Sequence, residues 1–404
     1  MGLKVGLVGA GLFGSRFVPL FQAHPDVDEI ALAESVPERR TQCARQFGIE
    51  RLFDSHEELL ASGVDAVAIF TQRWTHAPIA MAALSAGKHV YSAVPAATTV
   101  DEMRLLIDLV AETGLTYMVG ETSYYYPGAI FSRERFARGE FGRFVYGEGE
   151  YLHDMSLGFY EAYEHSGGRD WKSTASFPPM LYPTHSIAMV LSVTGARMTS
   201  VSCLGQIDST DDGVFDEAVS VWGNAMSNQT ALFRTSDGGM CRINEFRRVG
   251  YRAYPQPEVR LSLFGTRASF EQQTNAASWN TLDGEFLDVT ELLRTEPGSS
   301  ELDQPIPKDL VASLSGGFAP IHDVSRLPHT FSGIPNGHEG SHHFLVDDFI
   351  RALVDRTMPP NNVWDSARYC VPGIVAHESS ELEGRVLEVP DLGAAPVEVG
   401  KQWP

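Results

Sequence analysis

The feature that most constrains the fold is a glycine-rich turn at residues 9–14, which reads Gly-Ala-Gly-Leu-Phe-Gly. Residues 3–8 before it are apolar and β-branched enough for a buried parallel strand. After it, large apolar side chains recur at helical spacing at Phe17, Leu20 and Phe21. The glycine pattern alone is weak evidence for a dinucleotide site, so the segments on either side of it matter. A strand, a glycine turn and a helix in this order predict the start of a doubly wound parallel sheet.

Each glycine of the turn has a separate predicted role. Gly9 permits the tight turn, Gly11 lets backbone amides approach a pyrophosphate, and Gly14 lets the helix pack closely on the strand. The helix N-terminus offers unpaired N–H groups to the phosphates. A second predicted strand at residues 29–33 ends in Glu34, whose carboxylate suits ribose hydroxyls and repels a 2′-phosphate. The sequence therefore predicts an NAD site and favours NAD over NADP.

Strands and helices continue to alternate up to about residue 125. Strands are predicted at 64–70, 88–91 and 116–119, and helices at 77–86 and 100–112. Ligands of doubly wound sheets bind at the carboxyl ends of the strands, so residues that follow strands are expected to meet the cofactor. The predicted cofactor contacts are Gly9, Gly11, Leu12, Phe13, Gly14, Glu34, Arg39, Thr71, Gln72, Trp74, His76 and Ala93.

The pattern changes after a predicted connecting helix near residues 128–138, because strands then follow one another. They are predicted at 143–154, 199–207, 218–224, 228–235, 239–247, 259–264 and 267–273. Residues 155–181 are expected to form a long functional loop and 280–335 to be irregular, with closing helices near 340–355 and 363–383. The predicted fold class is α/β: an N-terminal Rossmann domain at residues 1–125 and a C-terminal α+β domain at 126–404, with a mostly antiparallel sheet for substrate binding and oligomerisation.

Charge and cysteine usage exclude several classes of partner. The chain has 31 Lys and Arg against 52 Asp and Glu, a net charge of −21, which argues against nucleic acid and anionic membranes. The four cysteines lack C-x-x-C spacing and indicate thiols in a reducing compartment. No apolar stretch is long enough to span a bilayer, and the first strand leaves no room for a signal peptide. A cytoplasmic homo-oligomer is expected.

Several motifs together resemble the Gfo/Idh/MocA oxidoreductase family. They are the glycine turn, Glu34, Thr-Gln-Arg-Trp-Thr-His at 71–76, Gly-Lys-His-Val at 87–90 and the late helix around 342–349. The resemblance covers essentially the whole chain. In most sugar dehydrogenases of that family Glu-Lys-Pro follows the strand at 88–91, and its lysine serves the reacting hydroxyl. This chain has Ala93, Val94 and Pro95 there instead.

The run Val-Pro-Ala-Ala at 94–97 is similar to a subgroup of NAD-dependent glycosidases, best known as α-N-acetylgalactosaminidases. Glu121 in Gly-Glu-Thr, Tyr-Leu-His at 151–153 and Tyr-Pro-Thr-His at 182–185 match that subgroup. The chain departs from that subgroup at two places. It has Ala93 where the glycosidases tend to have Glu, and it has a run of tyrosines at 124–126. The resemblance implies NAD, a small sugar or glycoside as substrate, and a catalytic set. That set is Glu121, Tyr151, His153, Tyr182 and His185.

The spacing within these motifs favours one shared site. Tyr151 and His153 are two apart on a strand and leave the same face. Tyr182 and His185 are three apart at a helix start and share a helix face. If that strand faces that helix, the two pairs converge, with Glu121 at a parallel strand end beneath them. Histidine is suited to proton transfer near neutral pH, whereas tyrosine needs a lowered pKa or a relay.

Cations and aromatic residues near the predicted loops are candidates for substrate contact, and cations would suit an anionic group such as a carboxylate or sulfonate on the sugar. These candidates are Arg73, Tyr124, Trp171, Lys172 and Arg247. His338, His342 and His343 lie close together in sequence, but no Cys or carboxylate spacing supports zinc, so no metal is predicted.

Three functions remain open from the sequence. The leading hypothesis is an NAD-dependent glycoside hydrolase that works through a transient C3 ketone, with elimination, water addition and re-reduction. The second is an NAD-dependent sugar or cyclitol dehydrogenase with net hydride transfer, in which His185 replaces the lysine. The third is an NAD-sensing scaffold without catalysis. Alanine at Tyr151, His153, Tyr182 and His185 distinguishes them, because a scaffold would keep its function and either enzyme would lose its activity.

Overall fold

A computed structural model describes residues 2–251, 258–297 and 315–404. The first sheet has six parallel strands in the order β3-β2-β1-β4-β5-β6, so the chain reverses its direction of travel between β1 and β4. The strands are β1 Leu3–Val8, β2 Val27–Ala33, β3 Arg51–Phe53, β4 Ala66–Ile69, β5 His89–Ser92 and β6 Tyr117–Val119. The predicted doubly wound sheet is therefore confirmed, and its ligand crevice is expected at the β1–β4 reversal.

Helices cover this sheet and begin and end where local chemistry predicts. They are α1 Val18–Ala23, α2 Pro37–Phe47, α3 His56–Leu60, α4 His76–Ser85 and α5 Val100–Thr113. In α5, the Thr99 hydroxyl accepts the Glu102 N–H and the Glu102 carboxylate accepts the Thr99 N–H, a capping box. Gly114, at φ 65°, ends the helix in the left-handed conformation that glycine adopts without steric cost.

The second sheet has nine strands in the order β14-β13-β12-β11-β7-β10-β9-β8-β15. Their bounds are β7 Phe144–Leu152, β8 Met198–Ile207, β9 Met226–Thr235, β10 Met240–Phe246, β11 Val259–Gly265, β12 Ala268–Gln272, β13 Ala277–Thr281, β14 Phe286–Asp288 and β15 Leu387–Glu388. Within this second sheet, the pairing of β7 with β10 is the one parallel pairing among the described strands, so the predicted mostly antiparallel sheet is confirmed.

The remaining helices are α6 Pro127–Ala137, α7 Phe159–Gly167, α8 Trp171–Ala175, α9 Thr184–Thr194, α10 Thr290–Leu293, α11 Ser341–Asp355 and α12 Val363–Glu381. Helix α9 lies against β7 at a place where the strand has Gly147 and Gly149. A Cβ on Gly149 would collide with the Ser186 carbonyl, so glycine permits this close approach. The end of β7 and the start of α9 consequently lie side by side.

Three predictions about elements are wrong. Residues 218–224 are turns rather than a strand: Val219 and Val221 are exposed, and the N–H of Val219 bonds back to Asp216. The predicted loop at 155–181 instead contains α7 and α8. Residues 280–297 are less irregular than expected because they contain β14 and α10, while 298–314 lie outside the described residues.

Two closing helices were predicted, and α11 and α12 confirm them. The turn between them contacts the first sheet, where the Val119 N–H donates to the Asn361 carbonyl at 2.8 Å. In addition, His24 Nε2 lies 3.4 Å from the buried carboxyl of Asp347. The domain boundary at 125/126 stays a prediction. None of the helices in the described ranges has the length and apolar character that a bilayer crossing requires.

Candidate active site

A cleft of about 750 Å³ opens at the carboxyl ends of β1, β4 and β5, where the first sheet reverses its strand order. It extends from Glu34 and Arg39 at one end to Tyr151 and His185 at the other. Its walls therefore come from both sheets. A volume of this size lies within the range of cofactor and substrate pockets.

The three glycines of the turn differ in what surrounds them. Gly9 has φ +95° and faces the Phe70 carbonyl, and a Cβ on Gly14 would lie 2.7 Å from the Phe70 Cβ. A Cβ on Gly11 would meet nothing within 4 Å, since this position faces the cleft. Gly9 and Gly14 are thus required by the protein's own packing, whereas the backbone at Gly11 is open to an approaching ligand, as a pyrophosphate site requires.

Glu34 is buried at the end of β2, and its carboxylate is already engaged by the backbone. One oxygen accepts the Ala10 N–H and the other accepts the Val36 N–H, each at 2.9 Å. Arg39 Nη1 lies 3.9 Å from the same carboxylate. Glu34 therefore fixes the turn and keeps a negative charge at the cleft wall, which disfavours a 2′-phosphate at this end.

Eleven of the twelve predicted cofactor contacts line the cleft, and Gly14 packs behind it instead. The eleven are Gly9, Gly11, Leu12, Phe13, Glu34, Arg39, Thr71, Gln72, Trp74, His76 and Ala93. The two nitrogens of His76 lie 2.9 Å from the Pro95 carbonyl and 3.0 Å from the Thr71 carbonyl, so this ring ties together the loops after β4 and β5.

Four predicted catalytic side chains meet at the other end of the cleft. Tyr151 and His153 come from β7 and the residue after it, His185 comes from the first turn of α9, and Tyr182 follows the 3₁₀ turn just before that helix. The ring of Tyr151 lies 5.1 Å from that of His185 and 4.9 Å from that of His153, and Tyr182 lies 5.4 Å from His185. The structure thus brings together both tyrosine–histidine pairs, because the glycines of β7 let α9 approach.

Glu121 does not line the cleft but supports His185 from behind. Its carboxylate is fully buried and lies 2.6 Å from His185 Nδ1. The same oxygen accepts the Ser123 N–H at 2.9 Å, and the Ser123 hydroxyl donates to the His185 carbonyl. This arrangement fixes the imidazole orientation, and among the described residues no hydrogen bond engages its Nε2, which is left for a ligand.

Glu121 and His185 shift each other's pKa in opposite directions. Burial raises the pKa of the Glu121 carboxyl, but the charge and hydrogen bond of His185 outweigh it and hold the pKa below its ordinary value. Burial lowers the pKa of His185, and the Glu121 charge more than compensates, so its pKa lies above the ordinary value. His185 is therefore a stronger base than a free histidine.

The other three rings have different protonation properties. Burial, with help from the charge of Arg247, holds the pKa of His153 well below its ordinary value, so its imidazole is neutral. Burial raises the pKa of Tyr151 and of Tyr182, so both phenols keep their protons and act as hydrogen-bond donors. The site thus combines a neutral histidine, a carboxylate-supported histidine and two phenol donors.

Val94 occupies the cleft wall and is buried. Its side chain has no proton to exchange. Among the described residues that line the cleft there is no lysine. The titratable rings nearest to Tyr151 are instead the histidines and the tyrosine of the same cluster.

Of the five predicted substrate contacts, only Arg73 lines the cleft. The Tyr124 ring packs beneath the Arg133 guanidinium, and Trp171 packs on Tyr160. Lys172 is exposed and donates to the Asp212 carbonyl. Arg247 is paired with the buried Glu245 at 2.8 Å and lies behind the Tyr151 ring. A direct substrate contact by these four therefore has no support in the geometry.

Residues that the sequence analysis did not assign to the site also line the cleft. Phe159 and Tyr163 come from α7, in the segment that was predicted to be a loop. His338 enters from the turn before α11, and its ring lies 5.4 Å from Phe13 and 6.4 Å from His185. His338 adopts φ +43°, an uncommon conformation for a residue other than glycine, which the histidine-rich sequence alone does not predict.

His338 Nδ1 lies 3.0 Å from His342 Nε2, so these two histidines contact each other. Within the described residues, no group of three or more His, Cys, Asp or Glu side chains is arranged to hold a metal ion. Cys43, Cys203, Cys241 and Cys370 are buried free thiols, as predicted.

Comparison with known proteins agrees with this geometry. Residues 3–121 match the sequence profile of the Gfo/Idh/MocA oxidoreductase family, which has an NAD-binding Rossmann fold. A glycosyl hydrolase family 109 protein of Saccharopolyspora erythraea is 30% identical over 419 residues, which span 96% of this chain and 83% of the relative. A levoglucosan dehydrogenase of Pseudarthrobacter phenanthrenivorans is 30% identical over 164 residues, or 38% of this chain and 42% of that protein.

Solved structures show the same fold over nearly the whole chain. Levoglucosan dehydrogenase in complex with NADH and levoglucosan superposes with a TM-score of 0.72 at 20% identity, covering 96% of this chain and 100% of that one. The family match shows that NAD is the cofactor, and the open backbone at Gly11 fits it in this cleft. The residues that would hold it are the glycine turn and the loops after β2, β4 and β5.

Proposed function

Because the chain belongs to the glycosyl hydrolase family 109 branch of the Gfo/Idh/MocA oxidoreductases, we propose that it is an NAD-dependent glycoside hydrolase. The observation that carries the proposal is the meeting of Tyr151, His153, Tyr182 and His185 in a cleft that has Val94 in place of a lysine. When bound, NAD⁺ supplies a temporary hydride acceptor for C3 of the sugar. The protein's own residues then have to manage protons at two positions.

In the proposed mechanism His185 takes the proton of the C3 hydroxyl as that carbon is oxidised. The Glu121 carboxylate at 2.6 Å stabilises the imidazolium that forms, which is also why it raises the pKa of His185. Tyr182, whose phenol stays protonated, is placed to donate to the C3 oxygen. Glu121 acts through His185 and is a positioning residue.

The C3 ketone acidifies the hydrogen on C2, and we assign its removal to His153, whose neutral imidazole has a free lone pair and lies 3.8 Å from the Glu258 carboxyl, which would stabilise the imidazolium. The bond from C1 to the leaving group then breaks, and Tyr151 is placed to protonate that group. Water adds at C1, the proton returns to C2, and the hydride returns to C3. The sum of these steps is hydrolysis with no net redox change.

The test is to incubate the protein with a panel of p-nitrophenyl α- and β-glycosides in D₂O. We expect cleavage of at least one member, with deuterium incorporated at C2 of the released sugar. His153→Asn should reduce both cleavage and exchange, because it removes the assigned base. Cleavage without deuterium at C2 would falsify this mechanism.

A dehydrogenase with net hydride transfer is the second candidate, and the related levoglucosan dehydrogenase supports it. Its proton transfer would need only the His185–Glu121 pair. The two candidates differ in stoichiometry. A dehydrogenase accumulates one NADH for each sugar, which near-ultraviolet absorbance detects, whereas the hydrolase releases the aglycone with little net NADH.

A further inference from the structure

Arg73 is a cation that lies beside the proposed chemistry. It lies in the 3₁₀ turn Arg73–Thr75 after β4 and lines the cleft beside the Tyr–His cluster. Its guanidinium carbon lies 4.6 Å from the Tyr182 ring centre and 5.3 Å from those of Tyr163 and Phe177. Three aromatic faces therefore hold the guanidinium in one position, as cation–π contacts do.

The hydrogen bonds of Arg73 leave most of its donors unused. A guanidinium has five N–H donors in a planar fork. Arg73 Nη2 donates to the Tyr163 hydroxyl at 2.5 Å, and the groups that raise its pKa against burial are tyrosines rather than carboxylates. Among the described residues Arg73 forms no ion pair. Its remaining donors adjoin the cleft.

Other arginines pair with acids, including Arg39 in the cleft and Arg247 behind the Tyr151 ring. Arg247 pairs with Glu245 at 2.8 Å, Arg248 with Asp212 at 2.9 Å, and Arg39 lies 3.9 Å from Glu34. The chain has 52 acidic residues against 31 Lys and Arg, so carboxylates outnumber the cations that they could pair with. A fixed guanidinium without one, beside the reacting groups, indicates that the missing anion arrives with a ligand.

We infer that the substrate is an acidic sugar whose carboxylate or sulfonate binds the Arg73 guanidinium, while the Tyr–His cluster acts on its ring. The planar fork of Arg73 matches two oxygens of one anionic group, as in bidentate recognition of carboxylates. The identity of the substrate class rests on the proposed function, but the anion site can be tested by binding alone.

The experiment measures binding of free sugars to the NAD-loaded protein by titration calorimetry. Each hexose is compared with its hexuronic acid and with its C6 sulfonate, which differ only in the group offered to Arg73. At least one anionic sugar is expected to bind about tenfold or more tightly than the neutral hexose, as for hydrogen bonds to a charged group. Whichever of the hexuronic acid and the C6 sulfonate binds more tightly identifies whether the acid group is a carboxylate or a sulfonate.

Three variants give the control. Arg73→Gln should abolish the preference for the anion while neutral sugars still bind, and Arg73→Lys should keep part of it. Lys172→Gln removes the same charge from an exposed site away from the cleft and should keep all of it. Circular dichroism and NAD affinity are measured for each variant, since Arg73→Gln could otherwise act through misfolding.

The outcomes separate this inference from the proposed reaction. Equal affinity for neutral and anionic sugars overturns the inference, even if neutral glycosides are cleaved with C2 exchange. Selective binding without any cleavage supports the inference and counts against the hydrolase. If Arg73→Gln weakens NAD binding and leaves anion selectivity unchanged, Arg73 serves the cofactor and the inference fails.

Discussion

The side chain of His185 is held from two directions by the turn that follows β6. Glu121 bonds to its ring and Ser123 bonds to its backbone carbonyl, so the turn sets both charge and position. These two contributions can be separated by mutation. The carboxylate affects the pKa of His185, whereas the serine hydroxyl affects only where the helix start lies.

We expect Glu121→Gln to lower the turnover rate about 10- to 100-fold, as for impaired general base catalysis. Activity that depends on neutral His185 falls as pH drops through the pKa of that residue. Because the Glu121 charge raises this pKa, its removal should move the acid limb of the pH–rate profile to lower pH. Steady-state rates between pH 5 and 9 measure both effects.

Ser123→Ala is the matched control for this prediction. It removes the hydroxyl that positions His185 but keeps the carboxylate, so the rate should fall while the acid limb stays in place. An equal displacement of the limb in both variants would show that charge is not the cause.

A second prediction at this scale concerns the choice of nucleotide. Glu34→Ala removes the negative charge at the cleft wall and frees Arg39, which lies 3.9 Å from it. We expect weaker binding of NAD⁺ and tighter binding of NADP⁺, with the affinity ratio shifted by about tenfold or more, as for a new charge-assisted contact. Fluorescence titration with both nucleotides measures the ratio. Glu38→Ala, on the exposed side of α2, should leave it unchanged.

At the scale of the element, the glycine turn divides between packing and binding. Gly14→Ala would place a Cβ 2.7 Å from Phe70 and should destabilise the protein by about 1–3 kcal/mol, as overpacking does. Gly11→Ala meets no protein atom within 4 Å and should keep stability but lose NAD affinity. Thermal unfolding without nucleotide and NAD titration measure the two effects, and the opposite assignment would contradict the geometry.

The sequence predicted elements best where one face repeats regularly. Five of the six strands of the first sheet were predicted from apolar runs between turn residues, whereas β3, a three-residue strand at Arg51–Phe53, was not. Helix α7 was missed because its apolar side chains do not enter a main core. Phe159 and Tyr163 instead meet the small cluster of Met155, Ala175, Val214 and Phe215 and face the cleft. Contacts with this small cluster, rather than an apolar face that repeats along the sequence, accompany the helical conformation of α7.

The site was predictable to a similar extent. Local spacing placed Tyr151 and His153 on one strand face, but their convergence with His185 depended on β7 facing α9, which the close approach at Gly149 provides. The pairing of Arg247 with Glu245 is local, because the two residues are two apart along one strand face, but that spacing was not used to predict it. His338 was missed as a cleft residue because left-handed backbone at a non-glycine residue is imposed by tertiary contacts.

At the scale of the whole molecule, the outer face of the second sheet has an exposed apolar line. Leu204, Leu232 and Met240 are 64%, 57% and 52% exposed and lie diagonally across β8, β9 and β10. Such a line on an otherwise polar sheet face supports the predicted homo-oligomer.

We therefore expect Leu232→Asp to shift the chain toward monomer, measured by light scattering after size exclusion. Because each copy has a net charge of −21, added salt should strengthen association of the native chain by screening repulsion. Leu105→Asp, exposed at 51% on α5 beside the first sheet, is the control. A native chain that stays monomeric at all salt concentrations would contradict the prediction.

Helix α7 has a consequence for how long the nucleotide stays. From Phe159 near His153 to Ser166, it forms one side of the cleft, and Tyr163 bonds to Arg73 across the cleft wall. We therefore expect α7 to slow the release of a nucleotide bound in this cleft. Because the proposed reaction returns its hydride in every cycle, one molecule of NAD can serve for many turnovers. The cofactor would then behave as a prosthetic group that is purified with the protein, rather than as a substrate that the cell resupplies.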